Sequence, residues 1–382
     1  MLILIQDPLW VEQAKKRLTS LFENKPLDRI SFFYNIVDDE KTLKESLSDK
    51  SIWEDLGERL TNNEKDLKAQ LDDIQKRLQY NCWDDNILAL LPYVGVGTVA
   101  SVFGCKTVFP RNENPWTKPV AFSSEDIYKL RINLEEAEAF NMALEKIRHF
   151  KEVVKDKIPI KLPDIQGPLD SASIVMDYSQ FLLTLVENPK AAHLLLEMVT
   201  EAIIKVVRRV QKEMLVEWGA SHGLWIPRGL WISDDLLAVL SPQLFKEYGV
   251  KYNSILSKEF NGILVHTCGD FRHNIPNILE IENIMGINYG DLSILDVQPM
   301  TKGQVVLNSP WILKSKSFEE LINIESPADL MGMREEDLEH IHLLQSDRVL
   351  LNITCNQTMN YTCFYQKIIE KLNLFRIPPV TA

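Results

Sequence analysis

From about residue 157 the chain alternates short apolar segments with helical ones, and this rhythm constrains the fold more than any other feature. The apolar segments are IPIKLPD (158–164), RGLWISDD (228–235), NGILVHTC (261–268), IMGINYGD (284–291), GQVVLNS (303–309) and RVLLNITC (348–355). Each has the length of one strand, and the stretches between them carry helix-start signals. Asn188-Pro189 and Ser241-Pro242 each set a capping side chain before a proline at the first helical position. After Asn188, the residues Leu194, Leu195, Met198, Val199 and Ile203 fall on one helical face. Strands that alternate with helices in this way run parallel, with the helices packed outside them. Six such strands and two earlier ones, the first within KPLDRISFFYNIV, would close a (β/α)8 TIM barrel. A doubly wound open sheet follows the same rhythm and stays open as the alternative.

Upstream, PLWVEQAKKRLTSLFE (8–23) and NNEKDLKAQLDDIQKRLQ (62–79) carry apolar residues at helical spacing among charges. They predict an N-terminal, mainly helical cap with the first strand over 1–85, followed by a single catalytic barrel over 86–382. The glycine-rich stretch LLPYVGVGTVASVFGCKTVFPRNENPWTKP (90–119) lacks the lysine and hydroxyl of a phosphate loop, so it reads as packing or as a loop that covers substrate. A formal net charge of −12 without a basic cluster argues against nucleic acid as a partner. No apolar run approaches the roughly 20 residues that cross a bilayer. The opening MLILIQDPLW meets Asp7 and Pro8 too soon for a signal-peptide core, so a cytoplasmic protein is expected. Five cysteines, at 82, 105, 268, 355 and 363, are an odd and scattered set, better suited to reduced thiols than to a disulfide framework.

In a barrel the active site forms where strands end and the following loops begin. Four candidate strands stop on chemically capable groups: Asp234 and Asp235, His266 and Cys268, Asp291, and Cys355. Residues two apart on a strand face the same side, so His266 and Cys268 present two donors together. Cys355 would bring a third from another strand to the same mouth. Two thiolates and an imidazole favour zinc over oxygen-seeking cations, and three protein ligands with a fourth position open is the pattern of a catalytic zinc. The plainer reading is a small buried cysteine beside a hydrogen-bonded histidine, which spacing alone does not exclude. Asp234 and Asp235, being adjacent, should face opposite ways, one into the pocket and the other capping the next helix; Asp270 and Asp291 are further carboxylates near the same mouth. The stretch EWGASHGLWIPRGLWISDD (217–235) gathers Trp225, Trp231, His222 and Arg228, and Trp116 adds a further aromatic. Such residues either wall a pocket for a methoxylated aromatic or a methylated ammonium group, or fill core and loop packing. His149, His193, His273, His340 and His342 receive no role, and Cys82, Cys105 and Cys363 are read as structural.

Several of these segments resemble the uroporphyrinogen decarboxylase superfamily, and more closely its zinc-dependent corrinoid methyltransferase branch. KPLDRISFF is similar to the family's opening strand and DIQGPLDSA (164–172) to its Gly-Pro strand end. WISDDLLAVLSPQLFKEY followed by GILVHTCGD resembles its Asp-Asp strand, its Ser-Pro helix start and its His-x-Cys-Gly zinc motif. The resemblance implies a (β/α)8 barrel and zinc ligands at His266, Cys268 and Cys355. It also implies methyl transfer between a small methylated substrate and the cobalt of a corrinoid (cobalamin). The chain has no Asp-x-His-x-x-Gly signature, so the corrinoid is expected on a separate corrinoid-binding protein. Where decarboxylases carry an Arg-Gln-Ala-Gly-Arg segment for the tetrapyrrole carboxylates, this chain has RISFFYN, in which Arg29 alone is basic. Methyl transfer to a thiol of the coenzyme M type is one alternative activity. A metal-free decarboxylase-like lyase, or a silent tetrapyrrole-binding barrel, is another. A homodimer is an assembly open to such a chain.

Overall fold

The structure is a computed structural model that describes residues 5–28, 31–37, 56–79, 84–110, 113–155, 157–214, 224–290, 292, 294–308 and 348–356; at 32, 34–37, 294–295 and 351–356 it describes the backbone alone. Among the described residues eight strands carry ladders: β1 (Ser31–Val37), β2 (Lys106–Val108), β3 (Trp116–Lys118), β4 (Leu230–Ser233), β5 (Ile263–His266), β6 (Ile284–Asn288), β7 (Val306–Asn308) and β8 (Val349–Asn356). Six of them form one sheet in the order β1-β8-β7-β6-β5-β4, and every pairing in it is parallel. The ribbon β2–β3 is antiparallel and lies inside the glycine-rich stretch.

Two further segments complete the eight staves of a (β/α)8 barrel. The segment 158–166 meets β4 through a parallel bridge between Gln166 and Ser233, and the segment through Leu90 meets it in turn at Ile160. Backbone hydrogen bonds fix both joins, from Gly167 N to Ser233 O at 2.6 Å and from Leu90 N to Pro159 O at 2.8 Å. Between β1 and the segment before Leu90 no backbone ladder forms among the described residues; side chains meet there instead, with Ser31 Oγ donating to Asp85 Oδ2 at 2.7 Å and Arg17 paired with both Asp85 and Asp28. The segment 158–164, expected as a full strand, forms single bridges among the described residues. Pro159 and Pro163 explain this, because proline removes the ladder's amide donors.

The helices follow in chain order: α1 (Pro8–Phe22), α2 (Leu56–Thr61), α3 (Asn63–Gln79), α4 (Ser124–Ile127), α5 (Glu138–Val154), α6 (Pro168–Val175), α7 (Tyr178–Glu187) and α8 (Pro189–Met214). Next comes α9, a continuous helix over 242–260 made of Pro242–Leu244, a π-helical turn Phe245–Val250, and Lys251–Phe260; α10 (Ile275–Ile278) and α11 (Ile294–Thr301) follow. The proline-led starts form as the sequence predicts: Asn188 Oδ1 accepts from Ala191 N at 3.2 Å and Ser241 Oγ from Leu244 N at 3.3 Å. On α8 the predicted apolar face is the one that packs, with Leu195, Val199 and Ile203 fully buried and Leu194 and Met198 partly so. Each such side chain contributes about 1.5–3 kcal/mol by leaving water. Lys146 of α5 and Asp66 of α3 form an ion pair at 2.9 Å with both side chains buried, tying the N-terminal helices to the barrel wall. Burial lowers the Lys146 pKa against the pull of Asp66. Among the described residues no helix is long and apolar enough to cross a membrane.

Candidate active site

At the C-terminal ends of the strands, register brings polar groups together. His266 pairs with Asn288 across β5–β6, and Asn288 pairs with Asn308 across β6–β7, so the three stand side by side on one face of the sheet. The amide of Asn288 donates from Nδ2 to Asn308 Oδ1, which turns Asn288 Oδ1 toward the imidazole. That oxygen only accepts, so with this amide orientation Asn288 selects the His266 tautomer protonated at Nδ1, 2.5 Å away, which leaves Nε2 its lone pair. Nε2 faces Cys268 Sγ at 3.4 Å. The ring of Trp231, buried inside the barrel, lies 6.4 Å from that of His266 at an interplanar angle of 17°, and so supports the imidazole from one side.

Asp235 joins this pair from the end of β4. One ligating atom from each of Asp235, His266 and Cys268 lies within 4.8 Å of the others. Asp235 Oδ1 accepts from Cys268 N at 2.6 Å, binding the end of β4 to the loop after β5. The turn that carries Asp235, a 3-10 helix Asp235–Ala238, starts on Asp170 of α6, whose carboxylate accepts from Asp235 N at 2.7 Å and Leu236 N at 2.9 Å. Asp234 points the other way, as adjacency on a strand requires. It is fully buried and accepts from Asn253 Nδ2 at 3.0 Å and Asp170 N at 3.2 Å. Its side chain does not cap the turn that follows; Asp170 does this instead. Gly167 makes room, since a Cβ there would lie 3.0 Å from Asp234 Cγ. Burial pushes the Asp234 carboxyl up to about 7, against the Asn253 hydrogen bond. Asp170 is raised well above the carboxylate range, first by burial and then by the charges of Asp234 and Asp235.

A cavity of about 230 Å³ opens beside Asp235 and Asp170. Val96, Ile174, Tyr178 and Val239 give it apolar walls, and Gln166 adds a polar one. No lysine or arginine is among the described residues that line it.

The structure separates the remaining sequence candidates. Arg228 lies at the opposite end of the strands, where it donates to Asn261 O just before β5 begins. Trp225, three residues before it in sequence, has Lys15 of α1 5.7 Å from its ring centre. Trp116 is exposed on β3 under Lys118. Asp270 stays near the mouth but is exposed and paired with Arg272 at 2.5 Å, which holds its carboxyl down at about 2. Cys105 is buried and its thiol is pushed up to about 12, as suits an inert structural cysteine. Cys355 lies near the C-terminal end of β8, opposite Ile36 of β1, and its side chain is outside the described residues. Asp291, His222, Cys82, Cys363, His340 and His342 lie wholly outside them. The residues that sequence reasoning passed over are Asn288, Asn308, Asp170 and Asn253. The first two had a signal, a single asparagine near the end of each of two adjacent candidate strands, in INYGD and VVLNS.

The donor set suits zinc: an imidazole nitrogen freed by its partner, a thiol, and a carboxylate, at the end of the barrel where such sites form. Three comparisons bear on what this site belongs to. No curated protein matches the chain. Among solved structures, a methyltransferase from Methanosarcina mazei matches at 16% identity with a TM-score of 0.61, covering 95% of this chain and 98% of that one, a likeness that shows the fold. The family model for uroporphyrinogen decarboxylase (URO-D) matches residues 89–298, more than half of the chain and nearly every residue just described. With the barrel and that match together, the chain belongs to the uroporphyrinogen decarboxylase family.

Proposed function

We propose that the protein is a zinc-dependent methyltransferase that moves a methyl group between a small methylated substrate and the cobalt of a corrinoid carried by a partner protein. The observation that carries this reading is the meeting of His266 Nε2 and Cys268 Sγ at 3.4 Å, with the other imidazole nitrogen committed to Asn288. A metal-free lyase has no use for a histidine whose tautomer is fixed toward a thiol. The structural relative named a methyltransferase supports the same reading.

His266 and Cys268 would hold the metal, and Cys355, near the end of β8, is the proposed third ligand. When bound, zinc would supply Lewis acidity at the substrate heteroatom, and the corrinoid would supply the cobalt that gives or takes the methyl group. Asn288 and Asn308 orient the imidazole and Trp231 backs it. Asp170 sets the turn that carries Asp235, and together with Asp234 it forms a buried carboxyl pair able to hold a proton near neutral pH. The cavity's apolar walls and carboxylates, without a basic residue among the described lining, favour a neutral or cationic methyl donor over an anionic thiol acceptor. Demethylation that loads the corrinoid is therefore the preferred direction. A reducing, cytoplasmic setting keeps Cys268 available as a thiol.

The test is zinc per chain in protein purified without chelator, beside a Cys268→Ala variant. About one zinc in the wild type, lost in the variant, supports the site. Methyl donors are then screened with a reduced corrinoid protein by following the cobalt absorbance. Absence of metal after reconstitution under reducing conditions would remove the basis of the proposal.

A further inference from the structure

We infer that Asp235 is itself a metal ligand, and that it occupies the coordination position facing the cavity where substrate binds. This rests on the zinc reading above and deepens it, because the ligands expected from sequence were His266, Cys268 and Cys355.

Four observations converge. The ligating atoms of Asp235, His266 and Cys268 lie within 4.8 Å of one another. Bonds of about 2.0–2.3 Å in a tetrahedral site set ligand atoms about 3.3–3.8 Å apart, so Nε2 and Sγ, at 3.4 Å, already have that spacing. Asp235 needs to close by an ångström or so, which an exposed side chain does by a small rotation.

The carboxylate is also aimed before any metal arrives. Its Oδ1 is held by Cys268 N at 2.6 Å, its own backbone N is held by Asp170 at 2.7 Å, and Oδ2 accepts no hydrogen bond from the described residues. One oxygen is thus fixed to the loop that bears the thiol ligand while the other remains to coordinate. A carboxylate and a thiolate brought this close repel each other as anions, and a cation between them reverses the sign of that interaction.

Finally, of the three donors only Asp235 lines the 230 Å³ cavity. A substrate lying there would approach the metal from the carboxylate side, so Asp235 would be the ligand that its heteroatom displaces, with His266, Cys268 and Cys355 retained.

Asp235→Asn isolates the point, because the amide oxygen still accepts from Cys268 N while the charge and most of the ligating power are gone. Affinity for zinc is measured by competition with a chromophoric chelator, and the visible spectrum is recorded after cobalt(II) replaces zinc. We expect affinity to fall at least about tenfold, with the cobalt ligand-field bands shifted and thiolate charge transfer retained. Asp235→Cys provides a gain of signal: a new thiolate at this position should increase the charge-transfer absorbance by about the contribution of one sulfur. Wild-type affinity and spectrum in Asp235→Asn, or no added charge transfer in a folded Asp235→Cys, would overturn the inference. In that event a wild type that binds zinc through Cys268 leaves the proposed function standing. A wild type that binds neither metal overturns both.

Discussion

At their C-terminal ends β4 to β7 finish in side chains that hold one another, whereas at their N-terminal ends β4 and β5 start from tight glycine turns closed on backbone. The first end has Asp234 on Asn253, Asp235 on Cys268, and His266 on Asn288 and Asn308. At the second end, Gly229 has φ +83° and Gly262 φ +120°, and Leu230 N donates to Gly262 O at 3.0 Å. Two arginines serve carbonyls there: Arg228 donates to Asn261 O, and Arg348 to Gln304 O at 2.7 Å and Leu21 O at 3.2 Å. One end holds carboxyls in places that cost stability, as the raised Asp234 and Asp170 show; the other spends its arginines on backbone carbonyls. The same strands thus carry chemistry at one end and stability at the other, which is the division a parallel barrel permits.

The sharpest break in this contrast is Cys268→Ala. Cys268 is exposed, so its loss should leave the melting temperature of the metal-free protein nearly unchanged, while methyl transfer falls by at least about a hundredfold. Calorimetry of the metal-free chains and turnover with the corrinoid partner read the two quantities separately. Large unfolding in the variant would mean that Cys268 is structural.

Asn288→Ala acts one step further out. The imidazole keeps its place in β5 but loses the acceptor that fixes its tautomer, so zinc affinity should drop by about 10–100-fold. Asn288→Asp, which keeps an acceptor toward Nδ1, should recover most of it. Equal affinity in wild type and Asn288→Ala would show that Asn288 packs without orienting.

Much of this was legible before any coordinates. The rhythm after residue 157 located β4 to β8, and the spacing of His266 and Cys268 set both donors on one side. Hidden features share a cause. Asn288 reaches His266 only through the lateral pairing of β5 with β6, and Asp170 reaches Asp235 only through the bridge that seats 158–166 against β4. Pairing partners are long-range facts that one strand's pattern does not carry. Arg228 and Trp225 teach the complementary lesson. Both are close to the metal strand in sequence, but they precede Leu230, the first residue of β4, whereas the mouth forms after its last, Ser233. Strand direction, already implied by the alternation, was the information that would have separated them from the mouth.

Gly229→Ala tests the stabilising end. A Cβ at φ +83° would also sit 2.5 Å from Met285 Cε and 2.6 Å from Gly262 O, and the second contact is backbone that cannot swing away. Destabilisation of about 2 kcal/mol or more is expected, with metal affinity per folded chain unchanged. Chemical denaturation and zinc titration check the two halves. A loss of affinity at full stability would mean that strain at the glycine end reaches the site, and the division between ends would fail.

The smallest effect should come from an ion pair where α5 and α8 end. Glu213 accepts from Arg148 at 2.9 Å and Arg209 at 2.7 Å, and these bonds hold its carboxyl down at about 2. A carboxylate whose folded pKa lies below its unfolded value contributes stability above the unfolded value, near 4.5, and loses it as pH falls toward 2. Glu213→Gln should therefore cost something near neutral pH and progressively less as pH falls through about 2. Because the pair is screened by solvent, the cost at neutral pH should be only about 0.5–1 kcal/mol, and it should shrink further in high salt. Zinc affinity and turnover should not change, since no described group at the mouth touches this pair. A difference between variant and wild type that is the same at pH 7 and pH 2 would show that Glu213 acts through packing rather than charge. A change in turnover would connect the two ends that the rest of the structure keeps apart.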